Sequence, residues 1–361
     1  MDPAEFYAVI GVDGQAEIAN DELRSLSLRL ATSPGSPLRQ HLSAMLFGSS
    51  GVRYRRLDVG EQLARLPCPV FLELHCADRL IGSYVFSALP IRAAGQEALG
   101  IYRCMLTIHP DFAGQGLGRW MAGEALGWLK SATSGIGKPV LTWGCVDRRN
   151  ERSLQLLESL GAESLGNLCS TLVYRQWPRR RIAVEGADWA GPGTAMRDSM
   201  DECGVITQGF VAGERLRVQG DEPMLAEATI TETGLAMEQM GGRWDVLYRR
   251  LLKHAGPARR RFDPANFRYL RMNDLVVTPE NIGQWPAFIS TLLARRELHM
   301  AMFVLDPQSM HYRLLDEAGV FGQFGRATRQ DLEVMGQAWH CESDFLRLVG
   351  SAPLGIGPLD V

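Results

Sequence analysis

The sequence of 361 residues lacks several features that mark whole classes of protein. It has no apolar run as long as a membrane span, and its first residues include Asp2 and Glu5 where a secretory signal has a basic flank. Its seven cysteines are scattered singly, without a C-x-x-C pair, which favours reduced thiols over disulfides or zinc ligands. We therefore expect a cytoplasmic protein with no membrane partner and no bound metal.

The charge balance gives no general field for a nucleic acid, since the net charge is −3. Arginine runs occur at residues 179–181 and 259–261, but runs of this length usually lie on solvated faces or in linkers. We therefore expect no nucleic-acid partner. A content of 46% hydrophobic and 22% charged residues is that of an ordinary globular protein, and the length suits two domains.

The first half of the chain alternates strand and helix patterns. The predicted elements are, in order, strands 71–76, 80–87 and 98–108, helix 116–130, strand 139–146, helix 150–160 and strand 164–177. The first two strands form a hairpin. This order indicates a mixed α/β fold, with a mostly antiparallel sheet and helices on its faces.

A loop with three glycines joins the third predicted strand to the next helix. Gly114, Gly116 and Gly118 alternate with other residues, and Arg119 follows them at the helix start. The N–H groups of a first helical turn have no partner inside the helix, and glycines let them approach a pyrophosphate closely. The helix dipole and Arg119 add attraction for the anion. On the loop alone, a purely steric role for the glycines is equally compatible.

Two other nucleotide-binding loops fit these residues poorly. A Walker loop has Lys followed by Ser or Thr directly after its glycines, and neither follows Gly118. A Rossmann loop follows the first strand of a βαβ repeat, whereas this loop follows a hairpin deep in the domain.

Two segments together resemble the GNAT acyltransferase superfamily, over about residues 70–175. The first resembles the pattern V-x-P-x-x-[RQ]-x-x-G-x-[GA], and the second resembles V-x-x-x-N followed by a helix that ends in Leu-Gly-Phe. The matching residues are Ile108, Pro110, Gly114, Gly116 and Gly118 in the first segment and Val146, Asn150, Leu160 and Gly161 in the second.

The resemblance implies acetyl-CoA or another acyl-CoA as co-substrate. Strands ending at Ile108 and Val146 are then expected to splay apart and to offer backbone groups to the pantetheine arm and the thioester carbonyl. The residues expected to bind the cofactor are Leu106, Ile108, Ala113, Gly114, Gln115, Gly116, Leu117, Gly118, Arg119, Asn150 and Ser153. Without a ligand, Asn150 is still a good helix N-cap.

The implied activity is direct transfer of an acyl group, acetyl by default, to an amine of a small molecule or peptide. The candidate catalytic residues are Glu73, His109 and Cys145, although a lone strand-end histidine is more often a surface residue and Cys145 more often a buried thiol. Glu73 shares its strand with His75, and we expect only one of the two to face the acceptor. The family's tyrosine acid is replaced by Leu157, and its Arg or Gln by Ala113.

Two other uses of the same loop stay open. One is another thioester reaction, such as decarboxylation of malonyl-CoA or transfer to a carrier-protein thiol, which Leu157 slightly favours because no free thiolate needs an acid there. The other is a sensor that binds acyl-CoA without turnover. Residues 24–66 are expected to form variable loops around the acceptor.

The second half is predicted to repeat the first, after a linker at residues 177–193. Its predicted elements are strand 269–277, helix 280–296, strand 300–305 and helix 308–318, with a further core helix at 242–252. Residues 279–284 echo 110–115, and residues 314–319 echo 156–161.

The simplest account of this repeat is an internal duplication, although two strand-helix units can also look alike by chance. We therefore predict two GNAT-like domains, 1–178 for catalysis and 179–361 as a degenerate copy that shapes the acceptor site. Trp285 stands where Gly116 stood, so the second copy is not expected to bind coenzyme A.

Overall fold

A computed structural model describes residues 3–12, 15–21, 25–48, 52–175, 182–186, 205–206, 214–218, 226–239 and 263–355. The strands of these segments join in one mixed sheet with helices on its faces, which confirms the predicted mixed α/β fold. The predicted helix 242–252, both arginine runs, Cys203 and most of the predicted linker lie outside the described residues.

The helices are α1 (Pro3–Ile10), α2 (Ser36–Ala44), α3 (Val59–Arg65), α4 (Leu117–Ala132), α5 (Glu151–Ser159), α6 (Trp285–Arg295), α7 (Met310–Glu317), α8 (Gly322–Thr328) and α9 (Phe345–Val349). Short 3-10 turns lie at Pro110–Phe112, Pro264–Asn266 and Ile282–Gln284. Among the described residues, no helix is both long and apolar enough to cross a bilayer.

The strands of the first half are β1 (Gln15–Asp21), β2 (Leu26–Ala31), β3 (Arg53–Arg56), β4 (Pro69–Cys76), β5 (Arg79–Ala93), β6 (Gln96–Ile108), β7 (Val140–Asp147) and β8 (Glu163–Tyr174). Those of the second half are β9 (Val184–Gly186), β10 (Val205–Ile206), β11 (Glu214–Val218), β12 (Glu227–Gln239), β13 (Phe267–Val276), β14 (Met300–Leu305), β15 (Gln330–Trp339) and β16 (Leu354–Gly355).

Turns and helix ends that the sequence predicts in the first half are found at the predicted positions. Ala77 and Asp78 form the turn of the β4–β5 hairpin, where Ala77 has a left-handed φ of 51°. Gly161 ends α5 with a φ of 84°, a conformation that glycine adopts without strain. The segment 36–65, within the range expected to be loops, instead forms α2, β3 and α3.

The predicted start of the helix at residue 280 is wrong, because α6 begins at Trp285. The residues before it form a separate capped turn. Asn281 accepts a hydrogen bond from the backbone N–H of Thr278 through Oδ1, at 2.9 Å. This side chain holds residues 278–281 in a turn, which delays the helix.

The two halves of the chain exchange a strand. The sheet order is β1-β2-β4-β5-β6-β7-β15-β8-β14-β13-β12-β11-β9. Strand β15 of the second half lies between β7 and β8 of the first, and β8 in turn pairs with β14 of the second. The two sheets expected for the two halves are therefore joined into one, and the division at residue 178 stays a prediction.

The same irregularity occurs in each half. Strand β6 has a bulge at Met105 with a φ of 52°, and β13 has one at Asp274 with a φ of 46°. Met105 precedes Pro110 by the same number of residues as Asp274 precedes Pro279. A left-handed φ is uncommon outside glycine, so its recurrence at matched positions supports the predicted duplication.

Side chains pack on both faces of the sheet. On one face α4 buries Leu117 and its neighbours against the first half, and α6 does the same in the second half. On the opposite face Tyr102 and Trp143 of the first half pack with Phe267 and Tyr269 of the second. We call this second face the inner face, because the two halves meet there.

The segment formed by α2, β3 and α3 covers part of the inner face and ties the halves together. Strand β3 pairs with β12, and the N–H of Leu57 donates to the carbonyl of Gly234 at 2.9 Å. The site described below therefore has both halves of the chain around it.

Candidate active site

The glycine loop, residues 113–119, lies between the 3-10 turn that follows β6 and the first turn of α4. Gly114 and Gly116 have φ values of 82° and 78°, and a Cβ on either would meet no atom within 4 Å. Among the described residues, no acceptor is found for the backbone N–H groups of residues 114–118. The loop therefore presents a row of donors beneath open space, as an anion site requires.

Two of the residues predicted for the loop have other tasks. The N–H of Ala113 donates to the carbonyl of Pro110 at 3.1 Å, so this group is not one of the open donors, and a contact of Ala113 with the cofactor stays a prediction. The side chain of Leu117 is buried in the α4 core and fixes the helix start on the sheet. Its backbone N–H remains one of the open donors.

The charge around the loop suits an anion. The first turn of α4 contains no acidic residue, and Gln115 and Arg119 are exposed. In the described part of the chain, no carboxylate pairs with the guanidinium of Arg119. The positive end of the α4 dipole and the guanidinium of Arg119 therefore both attract an anion that lies over the loop.

Strands β6 and β7 separate next to this loop, as predicted. Their parallel pairing ends at Tyr102 and Trp143, although β6 continues to Ile108 and β7 to Asp147. The N–H of His109 donates to Ile81 on the β5 side at 2.7 Å. Because backbone groups alternate between the two edges of a strand, those of Ile108 and Leu106 point into the opening.

Helix α5 begins on the far side of the opening. Asn150 Oδ1 accepts from the N–H of Ser153 at 3.2 Å, so the predicted N-cap is present. Within the described segments, the amide Nδ2 of Asn150 has no acceptor and can donate to a ligand. The N–H of Ser153 is used by this cap, which leaves only its hydroxyl for the cofactor.

The position at which the family has its tyrosine acid lies in the protein interior. Leu157 is buried and packs with Ala162 and with Met335 of β15. The side chain therefore belongs to the contact between α5 and the exchanged strand, and it offers no acid to a leaving group.

The prediction that only one of Glu73 and His75 faces the acceptor side is wrong. The two residues are two apart on β4 and so share a face, and His75 Nε2 lies 3.0 Å from Glu73 Oε2. Cross-strand pairing places Glu73 beside Ser83, and Ser83 beside Thr107. Glu73 is thus two strands away from the end of β6.

His109 is held in the turn that leads to the loop. Its Nδ1 accepts from the N–H of Asp111 at 3.3 Å, and Arg79 contacts the ring at 3.2 Å. Asp111 and Arg79 are also paired at 3.2 Å. The ring thus stabilises the approach to the loop, and its role as a base stays a prediction.

Cys145 lies in the opening, two residues beyond the last pair of β7 with β6. Burial raises the pKa of its thiol to about 12, although the positive charge of Arg271 acts in the other direction. The thiol is therefore neutral near pH 7, which argues against a thiolate nucleophile.

A histidine that the sequence analysis did not single out lies at the end of β6. His41 of α2 is buried, and its Nε2 is 2.9 Å from Thr107 Oγ1, which is 2.7 Å from Ser83 Oγ. Burial, and secondarily the charge of His109, lowers the pKa of His41 to about 4. No local pattern marks this residue, since its contact with Thr107 joins distant parts of the sequence.

The second half lacks an equivalent loop. Trp285 is fully buried, and its Nε1 donates to Asn281 Oδ1 at 3.2 Å. Pro286 has no N–H, and the N–H groups of Ile282 and Gln284 donate to Thr278 and Asn281. At the three central positions, residues 284–286, the donors that stay open in the first half are here paired or absent.

Neither a protein-family model nor a curated protein matches the sequence. Solved structures do match the fold. A crystal structure of Saccharomyces cerevisiae N-myristoyltransferase with bound myristoyl-CoA is 7% identical, with a TM-score of 0.53 over 95% of this chain and 88% of that chain. A second structure of that enzyme with myristoyl-CoA is also 7% identical, with a TM-score of 0.53 over 96% and 90% of the two chains. A GCN5-related N-acetyltransferase from Kribbella flavida is 12% identical, with a TM-score of 0.44 over 88% and 72%.

At 7% identity the match to N-myristoyltransferase concerns the fold alone. That enzyme has the GNAT fold, and the match extends over nearly all of both chains. The splayed strands, the glycine loop and the capped helix after it occur here in the predicted order. The chain therefore has the fold of the GNAT superfamily.

Proposed function

We propose that the protein is an acyl-CoA-dependent N-acyltransferase that transfers an acyl group, acetyl by default, to the amine of a small molecule or peptide. The observation that carries the proposal is the row of open backbone donors at residues 114–118. Backbone donors without acceptors at a helix start next to the β6–β7 opening are what a coenzyme diphosphate with an extended pantetheine arm requires.

The opening between β6 and β7 holds the thioester in this proposal. Backbone groups of Leu106 and Ile108 and the amide of Asn150 bond the pantetheine, and a backbone N–H polarises the thioester carbonyl. The amine attacks that carbonyl directly, the carbon–sulfur bond breaks, and the electron pair leaves with sulfur. Holding the two reactants in line supplies much of the rate increase.

The amine loses a proton in this transfer. His41 is the proposed acceptor, since its imidazole is neutral near pH 7 and is fixed by Thr107 at the end of β6. The sulfur leaves as a thiolate, whose conjugate acid has a pKa of about 8.5, so transfer proceeds without an acid at Leu157.

The second half shapes the acceptor side of this site in the proposal, as a degenerate copy that binds no coenzyme. A cytoplasmic location belongs to the proposal as well, in keeping with the six described cysteines, none of which forms a disulfide. Decarboxylation of malonyl-CoA is the second candidate. At the position of the family's tyrosine acid this chain has Leu157, which is buried and cannot protonate a leaving thiolate.

Calorimetry with coenzyme A tests the loop, and incubation with acetyl-CoA or malonyl-CoA tests the reaction. Gly116→Trp is expected to abolish binding, whereas Gly127→Trp on the exposed side of α4 is a matched control. Amine-dependent thiol release supports the proposal, and loss of the malonyl carboxylate without amine supports the second candidate. Binding without turnover indicates a sensor, and unchanged affinity of Gly116→Trp overturns the loop assignment.

A further inference from the structure

Strand β13 carries buried polar side chains on the inner face. Arg271 and Asn273 are 5% and 4% exposed, and both follow Phe267 and Tyr269 at two-residue intervals. Met272, between them, packs on the other face with the α6 core. Because alternate strand residues share a face, Arg271 and Asn273 lie on the side where the two halves meet.

Among the residues that the structure describes, the amide of Asn273 finds no hydrogen-bond partner. Neither its Oδ1 nor its Nδ2 is bonded to any of them, and both atoms are buried. Buried amides in folded proteins are almost always paired, because an unpaired one keeps the full cost of its desolvation. The side-chain Oδ1 and Nδ2 of Asn273, two residues from the guanidinium of Arg271 on the same face, therefore point to a ligand that supplies the missing partners.

This polar pair lies on the same face of the sheet as the residues next to the opening in which the reaction is placed. Phe267 and Tyr269, earlier on the same face, pack with Tyr102 and Trp143, the last residues at which β6 and β7 pair. The charge of Arg271 also acts on Cys145, which lies just beyond that point on β7. The second half thus contributes a cation that acts on Cys145 and an amide two residues further along the same face.

We propose that Arg271 and Asn273 bind a carboxylate of a reactant held in the β6–β7 opening. A guanidinium fork binds a carboxylate through paired N–H donors, and this bond is strong in a water-poor site. The Asn273 amide adds a further donor, and its Oδ1 accepts from an N–H of the same reactant. The inference rests on the proposed function, since it concerns the acceptor side of that site.

The carboxylate has two possible sources, the amine acceptor or the acyl group of malonyl-CoA. For the first, acetyl transfer to leucine and tyrosine is compared with transfer to isopentylamine and tyramine. For the second, calorimetry compares malonyl-CoA with acetyl-CoA. We expect at least a tenfold preference for the carboxylate in one comparison and its loss in Arg271→Gln and Asn273→Leu. A wild-type protein that shows no preference in either comparison overturns the inference.

The control is Thr291→Val on α6, which also removes a buried hydroxyl that has no partner in the described part of the chain but lies outside the opening. It is expected to keep the carboxylate preference. Asn273→Leu is expected to unfold at no lower temperature than the wild type, so loss of preference cannot be ascribed to misfolding. If Asn273→Leu unfolds earlier and keeps the preference, the amide is structural and the inference fails.

Coenzyme A affinity separates this inference from the proposed function. Both variants of β13 are expected to bind coenzyme A as the wild type does, because the glycine loop is untouched. Failure of the wild type to bind coenzyme A overturns the proposed function and this inference with it. Normal binding without a carboxylate preference overturns this inference alone.

Discussion

His41 Nε2 lies 2.9 Å from Thr107 Oγ1, and this contact links α2 to the free end of β6. Ser83 Oγ donates to the carbonyl of Met105 at 3.5 Å, so Thr107 donates to Ser83 and accepts from the Nε2–H of His41. With the proton on Nε2, Nδ1 is the nitrogen of the His41 ring that can accept a proton. In the described segments of the chain, Nδ1 has no hydrogen-bond partner.

The first prediction is that His41→Gln slows turnover without weakening coenzyme binding. Glutamine keeps a donor to Thr107 but cannot take up a proton, and a general base contributes roughly 10²- to 10⁴-fold to a rate. We expect kcat for acetyl transfer to fall by about 10²-fold. The matched control is His340→Gln at an exposed histidine next to Trp339, which lies two strands from the start of β6 and so at the opposite end from Thr107. Equal turnover in His41→Gln and the wild type contradicts the role.

The second prediction concerns stability as a function of pH. Burial, with the charge of His109, lowers the pKa of His41 from 6.5 to about 4. As the pH falls through this range the unfolded chain binds a proton that the folded chain excludes, so the free energy of unfolding decreases. The loss is about 3 kcal/mol once the pH is near 4.

Urea unfolding at about pH 7 and at about pH 5, where about 2 kcal/mol of this loss is expected, measures the effect. The wild type is expected to lose more stability than His41→Gln between the two conditions, because the variant has no proton to exclude. If both proteins lose the same free energy of unfolding between the two conditions, the pH dependence arises from other groups and the prediction for His41 is wrong.

The third prediction concerns the left-handed glycines of the loop. Gly114 has a φ of 82°, so Gly114→Ala should cost roughly 1–2 kcal/mol of stability and place a methyl group in the anion space. Gly118 is the contrast, since a Cβ there would lie an ordinary 3.6 Å from Ile108 Cγ1. We expect coenzyme A affinity to fall in Gly114→Ala and to persist in Gly118→Ala. Calorimetry that finds the opposite order would show that the coenzyme does not lie over Gly114.

The sequence was sufficient for the features that depend on neighbouring residues. Asn150 as a cap and Gly161 as a helix end follow from local rules that hold in any fold. His41 could not be found in this way, because a lone histidine on α2 gives no sign that Thr107 is its partner. The strand exchange was also hidden, since a strand pattern shows which face is buried but not which strand pairs with it.

The fourth prediction concerns the second copy of the loop. Trp285 is fully buried at the start of α6 and packs against Phe288 and Phe303. Trp285→Ala is expected to cost about 3–5 kcal/mol of stability through the cavity that it leaves. It should bind no additional coenzyme A, because the N–H groups of Gln284 and of residue 285 are already paired and Pro286 has none. A second binding event in calorimetry would show that Trp285 alone blocks a competent site.

The last prediction follows from the exchanged strand. A fragment of residues 1–178 retains the glycine loop but loses β15, which pairs with β7 on one side and β8 on the other. Val334 and Leu332 of β15 are buried in the inner-face core, so their removal exposes apolar surface and two strand edges. We expect the fragment alone to aggregate or to unfold without cooperativity.

Co-expression of residues 179–361 as a separate chain is expected to restore a folded complex with coenzyme A affinity close to that of the intact protein. Denaturation followed by circular dichroism, together with calorimetry, measures both outcomes. A fragment 1–178 that unfolds cooperatively and binds coenzyme A would show that the first half closes its own sheet, with β8 in the place of β15. The halves would then be separable domains, and the shared sheet would be a consequence of docking rather than a condition for folding.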